Sequence, residues 1–197
     1  MWTNLGEGGF MAKLGWFVVA VLMGGVFMSQ LWADSNTKST LRIYSHSFKQ
    51  GGAIPDQYTC KGQNISPDVC WKGEPAKTKS FVLIVEDPDA PGQTWVHWVI
   101  YNIPIKKASP DGNVYELTEG YPRDEETPGG ILQGSNDFKK IGYDGPCPPS
   151  GIHRYYFELY ALNSIVDLSA GVTKAELMTA MKGHVLAQTQ MMGTYSR

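Results

Sequence analysis

Residues 80–103 read Ser-Phe-Val-Leu-Ile-Val-Glu-Asp-Pro-Asp-Ala-Pro-Gly-Gln-Thr-Trp-Val-His-Trp-Val-Ile-Tyr-Asn-Ile, two apolar runs joined by a short acidic, proline-punctuated turn. Ser80 to Val85 is almost continuously apolar, as expected of a strand covered on both faces. Trp95 to Ile103, rich in aromatic and β-branched residues, reads as a second strand, and alternation places Trp95, His97 and Val99 on one face. Tyr155 to Leu162 gives a third strand, with weaker candidates at Leu41 to Phe48 and around Cys70. Lys106 to Tyr143 reads as a long turn-rich connection. One helix is expected from Thr173, where Glu176 completes a capping box and Leu177, Met181 and Val185 share a stripe. The expected body is therefore a mainly β domain with a C-terminal helix.

Composition agrees with a folded domain. The 197 residues carry 17 basic and 19 acidic side chains with 12% aromatics, which excludes the charged, aromatic-poor class that stays disordered. The near balance and a sequence pI near 6.1 also argue against nucleic acid, which calls for a cationic face.

The first 33 residues are set apart from the fold. Leu14 to Trp32 is an uncharged, largely apolar run after Lys13, and Met11 offers a second start. It reads as an export signal cut after Ala33, or as an uncleaved anchor giving the only membrane attachment, with residues 34–197 as the domain. The expected location is periplasmic or secreted. In such an oxidising space Cys60, Cys70 and Cys147 can form one disulfide and leave one thiol, and their spacing leaves the pairing open.

Three segments carry chemistry. In Glu86-Asp87-Pro88-Asp89-Ala90-Pro91 the prolines hold the chain extended, so Asp87 and Asp89 are expected on roughly the same side. His97 sits among aromatic and apolar neighbours. Gly145-Pro146-Cys147-Pro148-Pro149-Ser150-Gly151-Ile152-His153-Arg154-Tyr155 is a stiff proline loop that delivers a second histidine to the start of a strand. Such a loop suits a pocket wall, since little entropy is left to lose on binding.

Together these motifs resemble the phosphatidylethanolamine-binding protein (PEBP) family, also called Raf kinase inhibitor-like proteins, in its bacterial form. Asn64-Ile65-Ser66-Pro67 with Trp71, Gly134-Ser135-Asn136-Asp137-Phe138 and Gly183-His184-Val185-Leu186-Ala187 are further landmarks in the family's order. The resemblance implies a β-sandwich with small peripheral helices and a cavity for anions such as phosphate, phosphoethanolamine, sulfate or acetate. By motif, Asp87, Asp89, Trp95, His97, Pro148, His153 and Tyr155 would form that ligand site. The histidines would offer ring N–H groups, Asp87 would hold an imidazole or attract an ammonium group, and Trp95 would supply an apolar wall. The resemblance also favours a Cys60–Cys147 disulfide. It implies no cofactor and no metal, a non-catalytic role that is regulatory or inhibitory, and a protein partner or homodimer as further company. Only His97 stands where animal members have two adjacent histidines, and their additional C-terminal helix is not evident, so kinase inhibition is not carried over.

Two other functions are compatible with the residues. An enzyme using the same pocket would be a hydrolase with Cys147 near His153 as nucleophile and base, or a metal-dependent enzyme in which His97, His153 and Asp87 imitate a 2-His-1-carboxylate iron site. A protein-interaction or protease-inhibitor module would use the Lys106 to Tyr143 loop, with its charged run Arg123-Asp124-Glu125-Glu126.

Overall fold

The computed structural model describes residues 40–106 and 114–197; the expected signal or anchor segment, and part of the Lys106 to Tyr143 connection, lie outside the described residues. Among the described residues no helix is long and apolar enough to cross a membrane. Within the described residues nine strands and one α-helix follow one another: β1 (Arg42–Tyr44), β2 (Val69–Lys72), β3 (Ser80–Asp87), β4 (Trp95–Pro104), β5 (Tyr115–Leu117), β6 (Glu126–Thr127), β7 (Ile131–Gln133), β8 (Ile152–Leu162), α1 (Lys174–Ala180) and β9 (Val185–Ser196). A 3-10 turn, Asp56–Tyr58, lies between β1 and β2. Six strands form an antiparallel sheet in the order β6-β7-β4-β3-β8-β9, and three form a second in the order β1-β2-β5. This is the mainly β architecture expected.

The position of β3 at the centre of the large sheet explains its apolar sequence. Phe81, Leu83 and Val85 point into the core shared with the small sheet, where Phe81 meets Trp71 and Tyr115 at ring-centroid distances of 5.4 and 4.8 Å. Val82 and Ile84 point the other way, toward Leu177 and Met181 of the α1 region. Each fully buried side chain of this size stabilises the fold by roughly 1.5–3 kcal/mol.

Two expectations are corrected. The capping box at Thr173 and Glu176 is present, but the helix ends at Ala180, and Gly183 turns the chain with φ of +82°, a conformation glycine adopts without steric cost. Val185 therefore opens β9 and is 41% exposed, so the last element is a strand paired along β8.

The second correction concerns β4. Between the pairs Val85–Trp98 and Glu86–Val96 it has one residue more than β3, and that residue is His97. The bulge breaks the two-residue alternation. Trp98 and Ile100 join the core between the sheets, while Val96 and Val99 both join the helix-covered side. His97 shares its face with Trp95 but not with Val99.

Candidate functional site

The site lies where β3, β4 and β8 end together. Asp87 pairs with Trp95 across β3 and β4, and the pairing of Glu86 with Tyr156 sets Asp87 at the level of Tyr155. The burial alternation of β8 brings His153, Tyr155 and Phe157 to the inner face. Above these ends is a cavity of about 230 Å3, lined by Asp87, Trp95, His97, Phe138, His153 and Tyr155, and by Ala90, Pro91, Cys147, Pro148 and Pro149 from the loops.

The polar groups are fixed in place. Asp87 is almost wholly buried, and both its oxygens are engaged: Oδ1 accepts from the Asp89 backbone N–H at 2.8 Å, and Oδ2 from His153 Nδ1 at 2.7 Å. His97 Nδ1 donates to the Asp144 carbonyl at 2.6 Å. A carbonyl only accepts, so the proton of the neutral ring sits on Nδ1 and Nε2 keeps its lone pair. Burial lowers the His97 pKa, outweighing the bond to Asp144 and the nearby carboxylates, so the ring is neutral at physiological pH. Tyr155 is buried and its phenol pKa is raised, first by burial and then by the Asp87 charge. The nearby Asp87 carboxylate, with both oxygens already engaged, makes no close hydrogen bond with the Tyr155 hydroxyl, and Trp95 Nε1 likewise has no close partner.

The surrounding loops hold one another. Cys60 and Cys147 form the disulfide favoured by the resemblance, with Cα atoms 5.4 Å apart, and Cys60 N–H donates to the Pro146 carbonyl. The Tyr143 hydroxyl donates to the Tyr58 carbonyl at 2.9 Å, and Asn64 receives Gly145 N–H at 2.7 Å while donating to Asp144 at 2.9 Å. Gly145 is required here, since a Cβ would lie 2.0 Å from the Tyr58 oxygen. Asp137 and Val96 exchange two hydrogen bonds, which sets Phe138 against Trp95 and His97 at 5.5 and 5.3 Å.

Six of the seven ligand-site residues expected from the sequence line this cavity: Asp87, Trp95, His97, Pro148, His153 and Tyr155. Asp89 does not. The turn that begins at Asp87 directs its carboxylate to Arg154, which binds it through Nε at 2.8 Å and through the second guanidinium nitrogen at 2.7 Å. Those bonds hold the Asp89 pKa down at about 2. Phe138 was singled out only within a motif, and its place in the wall depends on the distant Asp137–Val96 exchange, which sequence spacing does not express. The disulfide occupies the sulfur of Cys147, so no thiolate stands beside His153.

The model of the phosphatidylethanolamine-binding proteins matches residues 44–196, from β1 to the end of β9. The chain belongs to this family. Among similar members is a UPF0098 protein of Methanothermobacter thermautotrophicus, 47% identical over 157 residues, covering 80% of this chain and 99% of that one. Another, from Aquifex aeolicus, is 44% identical over 160 residues, covering 80% and 89%. Two solved PEBP relatives superpose with a TM-score of 0.70. One is a PEBP homologue of Chlamydia trachomatis, 39% identical, covering 81% of this chain and 99% of that one. The other is YbcL of E. coli, 32% identical, covering 80% and 98%. The family's matched span thus contains the whole cavity wall.

Proposed function

We propose that this PEBP-family protein is an exported, non-catalytic binding protein for a small phosphate-like anion or a phospholipid head group. One observation carries the reading. The cavity wall contains two donors with no protein partner, the Tyr155 hydroxyl and Trp95 Nε1, and a buried polar hydrogen without an acceptor is costly unless a ligand supplies one. Export is supported by the apolar segment after Lys13 and by the Cys60–Cys147 disulfide.

The two histidines have different parts. With Nδ1 given to Asp144, neutral His97 presents Nε2 as an acceptor, which suits a ligand oxygen that still carries a proton or an ammonium group. His153 has Nδ1 given to Asp87, so Nε2 must take up a proton before it donates to an anion; the buried carboxylate behind it compensates the imidazolium charge. Binding then takes up protons, and affinity falls as pH rises.

Isothermal titration of phosphate, phosphoethanolamine and sulfate between about pH 6 and about pH 8 spans the histidine range and tests this. Sulfate carries no proton in this range, so any slope it shows belongs to the protein. Phosphate keeps a hydroxyl throughout this range and binds more tightly than sulfate because that hydroxyl can donate to His97. His153→Ala abolishes the sulfate slope, and His97→Ala removes the preference for phosphate. Equal binding of all three ligands by the parent and both variants overturns the assignment.

A further inference from the structure

The outer face of the small sheet carries a separate convergence of side chains. Cys70 lies between Tyr44 and Glu116 in the β1-β2-β5 register. Because Val69 and Trp71 point into the core, Asp68 and Cys70 stand on the opposite face. The turn after β1 lays His46 over them. His46 Nδ1 is 2.9 Å from Asp68 Oδ2, and Cys70 Sγ is 3.7 Å from each of those atoms.

These separations match a metal's ligand polyhedron. A tetrahedral zinc ion, with bonds of about 2.3 Å to sulfur and about 2.05 Å to nitrogen and oxygen, spaces its ligands about 3.6 Å apart for S–N and S–O and about 3.3 Å apart for N–O. The three donor atoms outline one face of that tetrahedron and need move only by tenths of an ångström. We propose that His46, Asp68 and Cys70 form a binding site for a divalent transition metal of the zinc class, with water in the fourth position.

The surroundings favour the assignment. Asp68 and Cys70 are buried, but the His46 side chain is 73% exposed, giving an ion a way in from solvent. Asp68 Oδ1 accepts from the Ser45 hydroxyl and from both the backbone N–H and hydroxyl of Ser47, so the carboxylate is oriented by a shell of hydrogen bonds as metal-ligating carboxylates are. Cys70 is the cysteine outside the disulfide. On binding, the ion takes the place of the Sγ proton, which leaves to solvent, and the His46 ring proton resides on Nε2 while Nδ1 coordinates. Imidazole, carboxylate and thiolate together suit zinc better than magnesium or calcium, which prefer oxygen alone.

The test uses the mature chain with its disulfide intact and cobalt(II) as a spectroscopic substitute. One equivalent of cobalt produces a thiolate-to-cobalt charge-transfer band in the near ultraviolet, and zinc displaces it. Cys70→Ser removes the band. His46→Gln, at an exposed ring whose loss leaves the core intact, weakens zinc binding at least about tenfold, the lower end of what even an outer-shell partner contributes, and leaves sulfate binding unchanged. Absence of the band in the folded parent, or its full persistence in either variant, overturns the proposal.

Discussion

Replacing Asp87 by alanine separates a structural carboxylate from a merely acidic turn. The substitution removes the acceptor of two hydrogen bonds, from His153 Nδ1 at 2.7 Å and from Asp89 N–H at 2.8 Å. The Asp89 amide lies near the rim and can turn to water, whereas His153 is buried. A hydrogen bond to a charged group contributes about 1.5–3 kcal/mol, and stranding its donor adds desolvation, so a loss of about 2–3 kcal/mol is expected. At about 2–4 °C per kcal/mol for a domain of this size, Tm falls by roughly 5–10 °C. Asp87→Asn keeps the shape and the turn. Its amide nitrogen faces His153 Nδ1, which must then accept, so the ring proton moves to Nε2 and a neutral His153 can donate to an anion. The asparagine variant is therefore more stable than the alanine variant, and its sulfate affinity loses most of its pH dependence. Urea unfolding and titration calorimetry read both effects. An alanine variant within about 0.5 kcal/mol of the parent, the range of ordinary surface changes, or an asparagine variant with the parent's pH slope, refutes the reasoning.

Three further outcomes are expected. Tyr155→Phe removes an orphan hydroxyl, so unliganded stability is unchanged or rises by up to about 1 kcal/mol while anion affinity drops about tenfold; thermal melts beside calorimetry check both. Replacing Cys60 and Cys147 together by serine opens a constraint spanning 87 residues and lowers stability by on the order of 4 kcal/mol, read by urea unfolding of the variant against the oxidised parent. Asp89, whose pKa is lowered to about 2 by Arg154, contributes stability above the ordinary carboxylate range that disappears as pH falls through about 2. The stability difference between the parent and Asp89→Asn, measured along an acid series, should vanish there; a difference that stays constant to the lowest pH contradicts the role given to the Arg154 pair.

What the sequence disclosed follows from how each element is covered. β3, β4 and β8 are buried over most of their length, so they stand out as dense apolar and aromatic runs. β9 has one buried side and carries Gln188, Thr189 and Gln190 along its middle, and its first residue falls on the spacing of the preceding helical stripe. That coincidence extended the expected helix past Gly183. The short strands β5, β6 and β7 lie within the long connection and are too brief for alternation to register. At the site, the proline-bounded motifs marked six wall residues. Asp89 was misplaced because two residues of extended chain do not reveal that Asp87 binds the intervening turn. The bulge at His97 has no sequence signature of its own, since valine and tryptophan flank it as they would in a regular strand.

The extra residue in β4 adds to the hollow without altering which flanking residues build it. Excising His97 would remove the irregularity between the Val85–Trp98 and Glu86–Val96 pairs and leave Val96 on the helix-covered side and Trp95 toward the ligand space, since Val96 and Trp98 already face opposite ways. Loss of that histidine by deletion would thus flatten the strand without exchanging the other residues of the wall. The imidazole is in effect a guest carried by one surplus residue, added to a framework whose inward and outward positions are already settled without it.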